Sequence, residues 1–379
     1  MPQSAGKICF ILPNFHLEFR GGAETQCFFL AQELLRRGWE VHYLRESSQP
    51  ETKVMEGIVV HSIPKKKAYL KWQLDAAIGA KMAEIKADIW YNRATLAYLP
   101  AIVKHARRCG GKVAFAFSRD SQFSYAEFRD TYQKPYMKAY ATWEQFWFFR
   151  ALRRTPLILA QTRTQLRLLR ERLGLDGVHI YNAHPSAPDS GPQPPREALI
   201  LWIARITHYK HPELFVELAR RMQGQPFRFV LIGKLEQDEL SRQLQEAAAA
   251  QPNLTLAGEQ SQAEVHAWLR KARALVSTSD VEGFSNTFIE AWLRGVPVVS
   301  RLVDPDGIIG DFRLGAVHAD LDDMRRILEE LLRDEAAWQE MSQRCAAYAR
   351  AHFDLAEAVT KLEAALRGEA LPQAAVLHS

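Results

Sequence analysis

Cysteine is scarce: four in 379 residues (Cys9, Cys27, Cys109, Cys345), far apart and with no Cys-x-x-Cys pair. That spacing excludes a disulfide framework and a zinc site. Long apolar runs are missing too. No stretch reaches the roughly 18 uncharged apolar residues of a membrane-spanning helix. The first residues, Met1 to Lys7, lack the basic-then-apolar order of a signal peptide, so a cytoplasmic protein is expected. What is present is ordinary for a folded chain: 47% apolar and 25% charged residues, which excludes disordered and fibrous classes. The length suggests two or three domains.

Charge divides the chain. Residues 1–190 hold 28 Lys/Arg against 17 Asp/Glu, a net +11, whereas residues 191–379 hold 21 against 27, a net −6. A basic half beside an acidic half implies two units with different partners, the basic one suited to nucleic acid, anionic lipid or anionic substrates. Between them, His184 to Pro195 carries five prolines. Proline fixes φ and removes amide donors, so neither a helix nor a central strand continues there. The expected organisation is an N-terminal domain over 1–183, a linker over 184–197, a C-terminal domain over 198–350 and a helical tail over 351–379.

Both halves alternate short apolar runs with helix-period segments. The runs are Lys7–Leu12, Val41–Leu44, Ile58–Ile63, Asp88–Tyr91, Val113–Phe117, Leu157–Ala160 and Val178–Tyr181, then Leu199–Ile203, Phe227–Ile232, Leu254–Ala257, Ala274–Ser277 and Val296–Ser300. Amphipathic segments such as Ala23–Arg37, Pro212–Met222, Gln262–Lys271 and Thr287–Arg294 lie among them. This pattern predicts α/β architecture, two doubly wound parallel sheets with helices on both faces. Ligands in such sheets bind beyond the C-terminal ends of the strands. The tail from Leu321 to Leu366 is helical in pattern, and its last part could cross back to the first domain.

Three clusters follow strand ends. Arg20-Gly21-Gly22-Ala23-Glu24 precedes an apolar helical face; paired glycines allow close backbone approach, and a helix start attracts anions. It is not Gly-x-Gly-x-x-Gly, so the dinucleotide fingerprint fails. A tight turn with a helix cap explains the same letters. Arg205 and Lys210 follow the first run of the second half, where two cations suit a diphosphate. Ser279 to Ala291 holds Glu282, Gly283, Phe284, Ser285, Asn286, Thr287 and Glu290, a glycine loop running into a helix with Glu290 expected on its first turn. Carboxylates there suit sugar hydroxyls. Thr287-x-x-Glu290 also has the letters of a capping box.

Taken together, Gly21-Gly22-Ala23-Glu24, Arg205 with Lys210, the Glu282…Glu290 pair and Gly295-Val-Pro-Val-Val299 resemble the family 4 glycosyltransferases, over nearly the whole chain from Lys7 to Leu366. The resemblance implies the GT-B fold, two Rossmann-like domains facing across a cleft. It implies transfer of a sugar, with retention, from a nucleotide-diphosphate sugar, a UDP- or GDP-sugar, with no cofactor and no metal. Arg205 and Lys210 would hold the diphosphate and stabilise the leaving group. Glu282 would meet donor-sugar hydroxyls and Glu290 the ribose. Gly283 to Thr287 would complete the cradle, and Gly21 and Gly22 would approach from the first domain. The resemblance also implies a front-face displacement in which the leaving phosphate would help take the acceptor proton, so no enzymic base is assigned.

Departures from the family pattern are specific. Ala204 precedes Arg205 where a glycine is common, and a single Gly233 followed by Lys234 stands where Gly-x-Gly is common. Many members carry a histidine after an N-domain strand, near the donor sugar; here Ser118-Arg119-Asp120 follows, so Asp120, counted with the catalytic residues, or Arg119 could cover that role, or the sugar preference differs, and Arg119, Arg20 and His16 fall on the acceptor side. Asp304-Pro305-Asp306 has the letters of a metal motif, but a proline turn accounts for it as well.

The acceptor side is dense in aromatics and bases, from Phe123 to Arg154 and again at Lys65-Lys66-Lys67-Ala-Tyr69-Leu-Lys71-Trp72. Such segments suit an anionic membrane surface, here the inner face of the cell membrane. Equally, Trp143, Phe146 and Trp147 fall at helical spacing and could be core, with the bases as its edge. A glycan or lipid-linked acceptor at the membrane face is expected on either reading, and the family resemblance together with the basic surface implies cell-surface polysaccharide or lipopolysaccharide assembly. A nucleotide-sugar epimerase and a non-catalytic sugar-binding relative are the alternatives. A nucleic-acid partner would leave the second half unexplained, and a dehydrogenase lacks its fingerprint.

Overall fold

The computed structural model describes residues 5–130, 132, 134–185 and 195–369. Most of the proline-rich stretch expected as a linker lies outside them. The described residues form two compact units: those up to Pro185 together with those from Leu355 onward, and those between.

In the first unit the strands are β1 (Lys7–Ile11), β2 (Glu40–Ser47), β3 (Thr52–Met55), β4 (Ile58–Pro64), β5 (Ile89–Arg93), β6 (Lys112–Ala116), β7 (Leu157–Ala160) and β8 (Val178–His179). The helices are α1 (Gly22–Arg36), α2 (Asp75–Ile85), α3 (Leu99–Cys109), α4 (Tyr125–Asp130), α5 (Pro135–Leu152) and α6 (Arg163–Leu173). The sheet order is β3-β4-β2-β1-β5-β6-β7-β8, parallel apart from β3. β1 shows why these runs are strands. Its alternating residues enter opposite cores, Cys9 and Ile11 on one face and Ile8 and Phe10 on the other. A strand buried on both faces reads as an unbroken apolar run.

β3 is a difference from expectation. It is an edge strand in an antiparallel hairpin with β4, Met55 opposite Ile58, closed by Glu56 and Gly57. Both turn residues have positive φ, 49° and 80°, as a two-residue hairpin turn requires. Its side chains alternate between half-buried and exposed, so it carries no apolar run.

The second unit holds β9 (Leu199–Ile203), β10 (Arg228–Ile232), β11 (Leu254–Gly258), β12 (Ala274–Ser277), β13 (Val298–Ser300) and β14 (Gly315–Val317) in the order β11-β10-β9-β12-β13-β14, all parallel. Its helices are α7 (Pro212–Arg221), α8 (Glu239–Ala249), α9 (Gln262–Lys271), α10 (Asn286–Leu293), α11 (Ile308–Asp311), α12 (Leu321–Arg333) and α13 (Glu335–His352). β14 was not expected. At Gly315 φ is +149°, and a side chain would collide with the Val298 backbone, so only glycine pairs β14 this closely.

The last helix, α14 (Leu355–Arg367), returns to the first unit. Val359, Leu362 and Leu366 join the core under α1. Burying each contributes about 1.5–3 kcal/mol. A buried carboxylate fixes the seat: Glu363 accepts from the Trp39 indole at 2.7 Å and the Arg37 guanidinium at 2.8 Å.

Candidate active site

Strand order locates the site in each unit. In the second unit the chain winds outward from β9 to β11, then returns to lay β12, β13 and β14 on the other side. The switch point lies between β9 and β12, so the loops after these two strands flank the crevice where ligands bind. Arg205 and Lys210 are on the first loop, Glu282 and Gly283 on the second.

These loops are tied across the switch point by charge. Lys210 is buried and its ammonium pairs with the Glu282 carboxylate. The Ser279 hydroxyl lies 3.4 Å from the same carboxylate oxygen. Behind the pair, Thr278 donates to the Lys210 carbonyl at 2.7 Å and accepts from the Trp202 indole at 2.9 Å. A second tie runs through His211, whose ring nitrogens meet Glu213 and Asp280, each at 2.7 Å. Burial alone would depress the His211 pKa, but the bonds to these two carboxylates outweigh it and hold the pKa above the ordinary value. Asp280 answers in kind: burial opposes its charge, yet His211 and Arg301 keep its pKa below the ordinary carboxylate value. His211 stands at φ +48°, a conformation held by these bonds.

Arg205 is exposed, its guanidinium 3.2 Å from the Tyr209 hydroxyl. α10 begins at Asn286, so Glu290 is its fifth residue, on the second turn rather than the first. That places it outside a capping box, since the N-cap is Ser285 and not Thr287. The Ser285 hydroxyl bonds the Thr287 hydroxyl at 2.8 Å instead of a helix amide. Glu290 is buried, with the His266 ring 3.9 Å from its carboxylate. Phe284 packs edge-on against Phe353, 5.2 Å between centroids, so its ring belongs to the core under the loop. Gly233 follows β10 and abuts the Ala204 carbonyl, leaving no room for a side chain, while Lys234 is exposed and pairs with Glu236 at 2.9 Å.

In the first unit β1 and β5 bracket the switch point. After β1, His16 is buried, stacked on Phe28 at 4.8 Å and bonded to the Thr25 hydroxyl at 3.1 Å. Arg20 and Gly22 are exposed, and Gly21 is the N-cap of α1. The Glu24 carboxylate fills the space where a Gly21 side chain would stand, and accepts from Asn14 at 3.1 Å. After β6, Arg119 is exposed, and Asp120 accepts from Gln165 at 3.0 Å.

Two families match the chain: glycosyltransferase family 4 over residues 20–185 and glycosyl transferases group 1 over residues 185–352. The chain belongs to the family 4 glycosyltransferases. Its fold is GT-B, and solved structures repeat it at low identity. Sucrose-phosphate synthase from Thermosynechococcus elongatus is 14% identical, with a TM-score of 0.78 over 96% of this chain and 98% of that one. HepE from Anabaena, in complex with UDP and glucose, is 14% identical with a TM-score of 0.72 over 96% and 100%. The catalytic domain of starch synthase IV from Arabidopsis thaliana, bound to ADP and acarbose, is 13% identical with a TM-score of 0.69 over 97% and 99%. No curated protein sequence matches it.

Sequence reasoning missed two parts of this glycosyltransferase's strand-end chemistry. One is the His211–Asp280 tie, whose members are 69 residues apart. The other is a buried amide network in the first unit. Arg93, last residue of β5, donates to Gln161 at 2.9 Å and Asn182 at 2.6 Å. Gln161 donates on to the Ser118 carbonyl at 2.7 Å, and Gln122 binds the amides of Ser118 and Arg119. An arginine ending an apolar run was the available signal. The Asp304 carboxylate is occupied by the amides of Ile309 at 2.8 Å and Gly310 at 3.2 Å, at the start of α11. Among the described residues no group of three His, Cys, Asp or Glu is placed to hold a metal ion, and no helix is long and apolar enough to cross a membrane.

Proposed function

We propose that the protein is a retaining, metal-independent glycosyltransferase that moves a sugar from a UDP- or GDP-sugar to a glycan or lipid-linked acceptor in surface-polysaccharide assembly, at the inner face of the cell membrane. The observation that carries this reading is the Lys210–Glu282 pair at the second unit's switch point, with Arg205 on the same loop. A diphosphate leaving group accumulates negative charge as the anomeric carbon–oxygen bond breaks. Fixed cations aimed at that charge are the largest catalytic contribution such a site can make. Arg205 and Lys210 serve that role. The bond's electron pair goes to the phosphate oxygen, which takes the acceptor hydroxyl's proton as the new bond forms on the same face of the sugar.

Glu282 exchanges part of its contact with Lys210 for donor-sugar hydroxyls. Glu290 binds the ribose, and Gly21, Gly22, Gly233 and Lys234 complete the donor contacts. Amides of Gly283, Phe284, Ser285, Asn286 and Thr287 line the loop and helix start, an environment that suits anions and hydroxyls. Asp120 faces the donor sugar, with Arg119, Arg20 and His16 toward the acceptor. Similar structures that hold UDP, or ADP with acarbose, support a nucleotide-diphosphate donor.

The test is a thermal-shift panel of nucleotides and nucleotide sugars in EDTA. A ligand at 100 times its Kd stabilises by about 2.7 kcal/mol. Selective stabilisation by UDP or GDP and its sugars, lost in Glu290→Ala, is expected. No response to any nucleotide would overturn the donor site. An anomeric configuration inverted in the product would overturn retention, and turnover without acceptor would favour epimerisation.

A further inference from the structure

The outer helical layer of the first unit carries a cleft that sugar transfer leaves unused. α3 and α5 pack side by side and, with the 3-10 turn Ala68–Leu74, enclose a cavity of about 600 Å³. Ala97, Pro100, Ala101 and Val103 give it an apolar lining. Trp72, Trp143 and Trp147 stand at its sides, and they are 52%, 45% and 44% exposed. The core reading of Trp143, Phe146 and Trp147 is therefore wrong: α5 buries Ala141, Gln145, Phe148 and Leu152 and turns these three rings outward.

Four guanidinium groups surround the cavity: Arg107 and Arg108 from α3, Arg150 from α5 and Arg154 just past its end. All four are exposed, and none has a carboxylate partner among the described residues. The carboxyl groups present are subdued. Asp75 is neutralised by Lys104 at 2.6 Å. Glu144 is held up at about 7 by burial, against the pull of Lys71. Lys65, Lys66 and Lys67 add further cations just before the 3-10 turn.

We propose that this cleft seats the protein on an anionic bilayer by taking one phospholipid, its phosphate on the arginines and its acyl chain against the tryptophans. The mixture of groups selects the occupant. A free phosphate has no use for three exposed tryptophans, and an apolar partner helix has no use for four unpaired guanidiniums. A phospholipid satisfies both, and tryptophan and arginine are the side chains that sit best at the boundary of headgroup and acyl chain. The proposal rests on the reading of a membrane-face acceptor and gives that reading its contact surface.

The experiment is flotation of the full chain with vesicles of phosphatidylcholine alone, and of phosphatidylcholine mixed with phosphatidylglycerol to supply anionic headgroups. Binding to the mixed vesicles alone is expected. Each arginine lost from the headgroup layer should weaken partitioning about fivefold, so Arg107→Ala with Arg150→Ala should lose roughly 25-fold. Trp143→Ala with Trp147→Ala should lose at least about tenfold and also the blue shift of tryptophan emission. Arg170→Ala, an exposed residue paired with Asp176 away from the cleft, should bind as the unaltered chain does. Thermal midpoints of all variants check folding. No binding to mixed vesicles, full binding by the tryptophan variant, release by millimolar inorganic phosphate, or displacement by single-stranded RNA would each overturn the proposal. Nucleotide stabilisation measured on the same samples separates the two readings. Lost docking with an intact UDP or GDP response overturns only the docking, and the reverse overturns only the donor site.

Discussion

The two units share a core strand order, and both gather polar groups beyond the C-terminal ends of their strands, but the groups differ in kind. In the second unit the loops after β9 and β12 meet through ions, Lys210 with Glu282 and His211 with Asp280. In the first, β5 ends in Arg93 and the segments after β6, β7 and β8 supply amides, Gln161 and Asn182 on Arg93 and Gln122 on the Ser118 and Arg119 backbone. An ion pair can be pulled apart by a ligand that brings its own charge. A buried amide network costs free energy to disturb. The second unit is thus equipped to answer a charged ligand, and the first to hold a fixed shape.

The largest effect expected from this contrast is at Lys210. Lys210→Met should lower transfer by about 10²–10³, the cost of removing one preorganised group that stabilises developing charge; steady-state kinetics with the stabilising donor would measure it. Stability should fall as well, because a partly buried Glu282 loses its partner. Adding Glu282→Gln should restore the thermal midpoint and leave the rate low. A double variant that regains activity would break the comparison, since the pair would then be structural only.

At Arg93 the order should invert. Arg93→Met should cost about 2–4 kcal/mol in urea unfolding, because the oxygens of Gln161 and Asn182 lose a charged donor in a buried setting. Nucleotide binding should be unchanged, as the second unit keeps its own loops.

Next is pH. His211 has a folded-state pKa above the ordinary 6.5, so its contribution is fully present below 6.5 and is lost as pH rises through the raised value. Asp280 has a folded-state pKa below the ordinary 3.8, so its contribution is present above 3.8 and is lost as pH falls through the lowered value. The tie between the loops is therefore complete from about pH 4 to 6.5. Thermal midpoints of the unaltered chain, relative to His211→Asn, should lose their advantage on the alkaline side. Parallel curves would remove His211 from the second unit's charge network.

The smallest effect is at Lys234. Its pair with Glu236 is exposed to solvent, so Lys234→Ala should leave the thermal midpoint essentially unchanged. A weaker nucleotide response in that variant would sharpen its role as a donor contact.

Much of the fold was legible because strands such as β1 and β9 are buried on both faces and leave unbroken apolar runs. β3 and β14 leave none. β3 is an edge strand half exposed to solvent, and β14 is three residues whose pairing depends on a glycine. The Glu56-Gly57 turn between two short segments was the readable sign of the β3 hairpin. In the site, the cluster from Ser279 to Glu290 stood out by composition, yet one residue of error in the helix start put Glu290 on the wrong turn. For Trp143 and Trp147, helical spacing identified one face of α5 but not which way that face looks.

By itself the sequence determined most of the segments that become strands and helices, β3 and β14 apart, since burial on one or two faces is written in the local period of apolar residues. It also determined which residue types end those strands, Arg205 and Lys210 after one and Glu282 after another. Only the tertiary structure decided their partners. Lys210 and Glu282 lie 72 residues apart, and they meet because the chain winds outward from β9 and returns to set β12 beside it. Pairing across a parallel sheet depends on strand order, and strand order leaves no mark in any local stretch of sequence.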